Sequence, residues 1–299
     1  MDTNMTASAT MPAANAAAPV KKNSNFQAIV KRLFQNRGAV IGLIIFIVLA
    51  LAAIFAPVAA PYGYEEMDLT NMLSGPSLEH LFGTDELGRD VFSRIIYGGR
   101  YSLSIGLAAT AFGAVVGCAI GAITGYFGGT LDTVLMRFLD ILEAIPGLLL
   151  TICVSAVLGS GFDKTILALA ITSIPQYVRL LRAQVFSVRD DLEAAESISC
   201  CKFRIITRYV LPNSLSPVIV KATMSVALTI LTAASLSYVG LGVQPPTPEW
   251  GAMLSAGRAY IRSYPHLIMF PGIFIMITVL GLNLFGDGLR DALDPKLKK

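Results

Sequence analysis

Long stretches without a charged residue alternate with short polar interruptions along this chain. Charge-free windows run over 38–64, 101–131, 144–162, 165–178, 222–248 and 263–286. A helix that crosses the hydrocarbon of a bilayer needs about 20 apolar residues. Five windows reach or nearly reach that length. The fourth is short and has to continue through Arg179 and Arg182 to about residue 186. Those two arginines stand three apart, so they share a helix face, and their long stems can carry the charge to the membrane surface. The pattern predicts an all-α, polytopic membrane protein. Its six transmembrane helices are expected near 39–60, 102–126, 138–160, 165–186, 216–240 and 266–286.

The segments between these spans have distinct characters. Residues 1–25 are rich in Ala, Thr, Asn and Pro without apolar periodicity and read as a disordered tail. The acidic start at Asp2, with no apolar run behind it, argues against a secretory signal. Residues 26–38 form a basic stretch with Phe26, Ile29, Val30, Leu33 and Phe34 on one side. It fits a helix lying on the anionic membrane face; an ordinary juxtamembrane linker fits equally well. Outer loops are expected over 61–100 and 241–265, and polar cytoplasmic segments over 187–213 and 287–299.

Composition sharpens this picture. The chain is 54% hydrophobic and 14% charged, against about 25% charged for a soluble domain. A net charge of +3 is too small to argue for nucleic acid. Lys and Arg set the orientation. With the N-terminus inside and six spans, only Arg89, Arg94, Arg100, Lys164, Arg258 and Arg262 of the 23 basic residues lie outside. Both termini are therefore placed in the cytoplasm. Cys118 and Cys153 lie in apolar runs, and Cys200 and Cys201 are adjacent. None has metal spacing, and the four read as small packing residues.

The stretch from Arg189 to Pro212 is the longest polar interruption of the C-terminal half. Leu192, Ala195 and Ile198 form one small-residue face, and Phe203, Ile206 and Val210 form an apolar stripe that Pro212 ends. Two short helices with a bend between them, outside the membrane, form a knob that another protein can push. Asp190 and Glu193 also have the spacing of a capping box, in which Glu193 serves its own helix start.

Elsewhere polar residues form patterns with two readings each. The first outer loop holds Asp85, Glu86, Arg89, Asp90, Arg94 and Arg100 in near balance. It is either a surface cross-braced by ion pairs or a docking surface for an external partner. Pro246, Glu249 and Trp250 of the last outer loop belong with Asp85, Arg89 and Asp90 in the docking reading. Ser225, Thr229, Thr232 and Ser235 stripe the fifth span. They line a water-filled path, or they bond to their own backbone and pack on a neighbour. Gly113, Gly117, Gly121 and Gly125, four apart, predict close helix packing in the second span. Arg137, Asp140 and Glu143 stripe the cytoplasmic start of the third span, level with Arg179 and Arg182, and pairing between the two sets is expected.

The chemistry of an enzyme is missing from the pattern. His80 and His266 are the only histidines and stand far apart. No metal set and no nucleophile elbow occurs. The nearest approach to a phosphate loop, Gly159 to Thr165, has Asp163 where Gly must precede the lysine. Transport powered by ATP would need a separate ATPase. An ion-coupled secondary transporter is the alternative, but no acid lies midway along any charge-free window.

Glu193, Ala194 and Ala195, the bend at Ser199, Ile205, and finally Leu211 and Pro212 resemble the EAA loop of bacterial ABC importer permeases. His80–Arg94 (HLFGTDELGRDVFSR), Gly242–Leu254 (GVQPPTPEWGAML) and Gly286–Leu297 (GDGLRDALDPKL) narrow the resemblance. From about Phe26 to Lys299 the chain resembles the C-type permease subunit of the dipeptide/oligopeptide/nickel family. The resemblance implies a type I importer fold in a bacterial cytoplasmic membrane, with the transmembrane core over 101–290. It implies a B-type permease partner, two ATPase subunits that bind the ATP, and an extracytoplasmic solute-binding protein. No cofactor is implied on this chain. Peptides come first as substrates, with nickel chelates and opines also within the family's range. Ser199 departs from the glycine usual in the family's bend, where φ > 0 is favoured.

The orientation has a direct check. A protease site or tag placed between Arg189 and Pro212 is expected to react in inverted membrane vesicles and to stay protected in intact spheroplasts.

Overall fold

The computed structural model describes residues 24–187 and 211–293, and within them the chain forms helices, short 3-10 turns and no strand. Residues 1–23 of the expected tail, almost all of Arg189–Pro212 and the last six residues lie outside these, while Ser24 and Asn25 of that tail are helical.

α1 (Ser24–Gln35) occupies the basic amphipathic stretch and is separated by one residue from α2 (Arg37–Ile54). That residue, Asn36, caps α2 by accepting from the Ala39 N–H at 3.3 Å, and its amide donates to Asp291 at 3.3 Å. A single turn, α3 (Ala56–Ala59), follows. α2 is apolar on nearly every side; Ile41, Ile44, Val48 and Leu51 are exposed, as side chains facing lipid are.

α4 (Val91–Phe127) is the central element. Its 37 residues span about 55 Å at 1.5 Å per residue, against about 30 Å of hydrocarbon. The helix starts ten residues before the charge-free window because Asp90 caps it, accepting from the Ser93 N–H at 2.7 Å. The last ten residues of the expected outer loop are thus helical.

Glycines decide where α4 lies. A Cβ at Gly117 would stand 2.6 Å from Tyr177 Cβ, and one at Gly125 would stand 2.9 Å from Val185 Cβ. Gly121 meets the Val178 carbonyl in the same way. Contacts that advance together on both helices mean that α4 and α7 (Phe162–Ser187) run parallel. On its other side α4 takes Ile230 of α8 (Leu211–Tyr238) against Gly106. α2 packs antiparallel on α10 (His266–Leu293): Ala39 meets Gly288, and Ile45 meets Gly281. Between α8 and α10 lies the short α9 (Trp250–Gly257). The larger core gathers near its level, where Ile95, Leu103, Ile230, Trp250, Met253 and Leu267 are buried together.

The expected third span is not one helix. α5 (Gly129–Glu143) and α6 (Gly147–Leu158) meet at 94°. The break has a local cause. Pro146 lacks an N–H to continue the ladder and turns Ile145 away from helical backbone, and Gly147 follows. Among the described residues four helices are long and apolar enough to cross a membrane, or five if the bent pair is one span. α7 has the length, with 26 residues, but carries Asp163, Lys164, Arg179 and Arg182. The count of six thus exceeds the number of strongly apolar helices.

Gly117→Leu is expected to force α4 off α7, at a cost typical of overpacking, about 1–3 kcal/mol. Nothing lies within 4 Å of a Cβ at Gly147, so Gly147→Ala is expected to be neutral. Melting of the purified protein in detergent checks both.

Candidate functional site

Three regions carry the polar residues singled out by the sequence. The first is a cap over the start of α4, built on residues 61–100, the expected outer loop, and the loop before α9. Asp85 is its organiser. One carboxylate oxygen accepts from the Leu87 and Arg89 N–H groups at 2.9 and 3.0 Å, and the other accepts from Arg89 Nε at 2.7 Å. Arg94 Nε stands 3.6 Å from the same oxygen, and its Nη1 donates to the Tyr64 carbonyl at 2.9 Å. Gly88 makes the turn possible: its φ is +73°, and the backbone of Asp68 fills the space a Cβ would need. Asp90 pairs with His80 Nδ1 at 3.0 Å while capping α4. Hydrogen bonds from Thr70 and then Asn71 hold the Asp68 carboxyl below the usual carboxylate range. Arg100 closes the neighbouring helix, donating from Nε and Nη2 to the Ala53 and Ile54 carbonyls at 2.6 Å each. These are end carbonyls of α2 that lack helical partners.

Glu249 and Trp250 lock this cap to the membrane helices. The Glu249 carboxylate accepts from the Gly251 and Ala252 N–H groups at 2.9 and 2.8 Å and from Ser102 Oγ at 3.1 Å. Trp250 Nε1 donates to the Ile95 carbonyl at 2.9 Å. The docking reading of these side chains needs correction. Arg89, Asp90, Glu249 and Trp250 are 5%, 2%, 1% and 1% exposed. A group spent on internal hydrogen bonds at that depth offers nothing to a partner. Asp85 is partly buried by the same network, and of the six residues Pro246 alone is exposed. These residues form the frame beneath the outer surface.

The second region is the polar stripe of α8, and the structure divides it. Thr229 Oγ1 lies 3.2 Å from Thr110 Oγ1 of α4. Thr232 and Ser235 donate back to the Leu228 and Leu231 carbonyls at 2.8 and 2.9 Å. Ser225 faces the buried Tyr177 hydroxyl, which completes no hydrogen bond among the described residues. An open, largely apolar groove of about 690 Å3 runs between α8 and α10. Leu231, Ser235, Ile275, Met276 and Asn283 are among its lining residues; of the stripe, Ser235 alone reaches it.

The third region is the junction of α5 and α7. Arg179 Nη2 stands 2.7 Å from Asp140 and 2.8 Å from Glu143. Arg137 is highly exposed and only 3.8 Å from Asp140. Arg182 turns elsewhere. Its Nε and Nη2 fork onto the two oxygens of Asp132 at 2.6 and 2.7 Å. Asp132 falls outside the Arg137, Asp140, Glu143 stripe, so spacing did not point to it. The available signal was its place as the first charge after the second apolar window. Glu193, Ala194, Ala195, Ser199 and Ile205 lie outside the described residues; Leu211 and Pro212 are the first described residues of α8. No group of three His, Cys, Asp or Glu side chains among the described residues could hold a metal ion.

Comparison with known proteins places this geometry. Residues 117–299 match the family described as binding-protein-dependent transport system inner membrane component. The chain belongs to that family. Residues 24–76 match the N-terminal transmembrane domain of oligopeptide transport permease C. The chain is 46% identical over 277 residues to the dipeptide transport system permease protein DppC of Alkalihalophilus pseudofirmus, covering 92% of this chain and 91% of that protein. It is 45% identical over 271 residues to the glutathione transport system permease protein GsiD of Escherichia coli, covering 90% and 89%. Among solved structures it is similar to an inward-facing form of the MetNI methionine ABC transporter. The TM-score is 0.56 at 18% identity, over 68% of this chain and 97% of that one. At that identity the likeness concerns the fold alone. The permease is thus a membrane component of a binding-protein-dependent transport system, with a bonded cap at one end and arginine-tied helices at the other.

Replacing Glu249 by Ala is expected to cost about 2 kcal/mol, because two helix-start N–H groups and a buried hydroxyl lose their acceptor. Glu249→Gln, which keeps one acceptor oxygen, is expected to fall between Ala and the parent in thermal melts.

Proposed function

We propose that this chain is one of two permease subunits of an ATP-driven importer of short peptides. The observation that carries the reading is 46% identity to a dipeptide permease along nine-tenths of both chains. A tripeptide permease is nearly as similar, which favours short peptides over nickel chelates. In this reading six spans cross the membrane. α7 is one of them despite its charges, because arginine pairs with Asp132, Asp140 and Glu143 make its inner end tolerable there. The bent α5 and α6 together supply another, and both termini face the cytoplasm.

The partners follow from the same reading. A B-type permease completes the pore. Two ATPase subunits bind ATP and dock on the EAA stretch, where the sequence supplies small side chains at Ala194 and Ala195 and a carboxylate at Glu193 for a cationic partner group. A solute-binding protein delivers peptide to the outer cap, meeting exposed residues above the bonded frame. Ser235 and the groove between α8 and α10 border the path or the partner permease.

Reconstitution in liposomes tests the reading. With a partner permease, two ATPase subunits and a solute-binding protein, the chain is expected to take up dipeptide only when ATP is supplied. Uptake driven by an ion gradient without the ATPases would overturn it. Glu193→Ala is expected to lower uptake about tenfold, the equivalent of one lost charge-assisted hydrogen bond, while ATP hydrolysis continues.

A further inference from the structure

α5 is attached to the rest of the chain by unusual means. Of its fifteen residues only Asp132 and Leu139 are buried. Leu131, Val134, Phe138 and Ile141 recur at i, i+3, i+7 and i+10, and each is at least half exposed. That apolar stripe therefore points away from the body, and burial of apolar area does little to hold the helix. Arginine holds it instead. Arg179 and Arg182 sit three apart on one face of α7. The first reaches Asp140 and Glu143, and the second forks onto Asp132.

The two attachments differ in quality. The side chains of Arg179 and Asp140 are 44% and 49% exposed, so water screens that pair. The side chains of Arg182 and Asp132 are 30% and 11% exposed, and their contact is bidentate. The Arg182 guanidinium also lies 4.6 Å from the centre of the Phe186 ring, a cation–π contact. Hydrophobic contact is non-directional and lets helices slide. A planar fork fixes both distance and angle. It transmits displacement where a greasy contact would slip.

The chain order gives this fork a use. α7 is described as far as Ser187, and the chain runs on from there into the Arg189–Pro212 stretch. On the other side, the break at 144–146 lets α5 move without dragging α6 along as one rigid rod. We propose that the Asp132–Arg182 fork is the mechanical link that passes movement of α7 to the broken third span. Asp132 and Arg182 act as positioning residues in coupled transport. This inference rests on the proposed function, which makes the stretch after α7 the ATPase contact.

The test uses the complete transporter in liposomes and reads dipeptide taken up per ATP hydrolysed. Asp132→Asn keeps the shape and removes the charge, and it is expected to lower that ratio about fivefold or more. Hydrolysis is expected to stay within about twofold of the parent. Arg182→Lys, which keeps charge but cannot fork, is expected to fall between them. Exchanging the pair, Asp132→Arg with Arg182→Asp, is expected to recover about half of the lost ratio or more. An unchanged ratio in Asp132→Asn would overturn the link, and so would a fall in uptake and hydrolysis together. Failure of the parent transporter to use ATP would instead overturn the proposed function.

Discussion

Backbone-to-backbone closeness is what the rest of this structure depends on. Within lipid, apolar side chains gain little by meeting each other, because the tails around them are equally apolar. Helices then associate through tight van der Waals contact, which needs small residues where they cross. α4 meets that need with glycine at every fourth position against α7, and with Gly106 against α8. α2 and α10 repeat the device through Gly42, Gly281 and Gly288. Where the close contacts lie, the rotation and height of each helix are set. The bonded frame at one end and the arginine ties at the other are then built on positions already fixed.

The outer frame illustrates a different economy of polar groups. Its charges are balanced, and in solution such pairs contribute little. Here Asp85, Asp90 and Glu249 each serve the backbone as well as another side chain, closing a turn or capping a helix. The buried carboxylates replace water for N–H groups that otherwise have no partner. Arg100 does the same for carbonyls at the end of α2. A sequence rich in charge at this place therefore describes internal carpentry.

Much of this was legible beforehand, and the exceptions have physical causes. Apolar windows located the helices because hydrocarbon demands unbroken apolar length. They could not locate the break at Pro146, since a bent pair and a straight span share one composition. They also missed the early start of α4, which Asp90 sets from outside the window. The glycine spacing spoke clearly because few other arrangements need it. The charged motifs were the hardest to place. Asp85, Glu249 and Trp250 have types common at interfaces and in frames alike, and only burial separates the two. Asp132 was invisible to helix periodicity because its partner lies on another element, 50 residues away.

The length of α4 has a mechanical corollary. No proline interrupts Val91–Phe127, its first turn is fixed by Asp90 in the bonded frame, and its far end stops one residue before α5. A stiff rod longer than the membrane is thick cannot tip at one surface without tipping at the other. The two aqueous faces of this protein are therefore joined by a single beam, and news of binding on one side needs no relay of hinges to be felt on the opposite side.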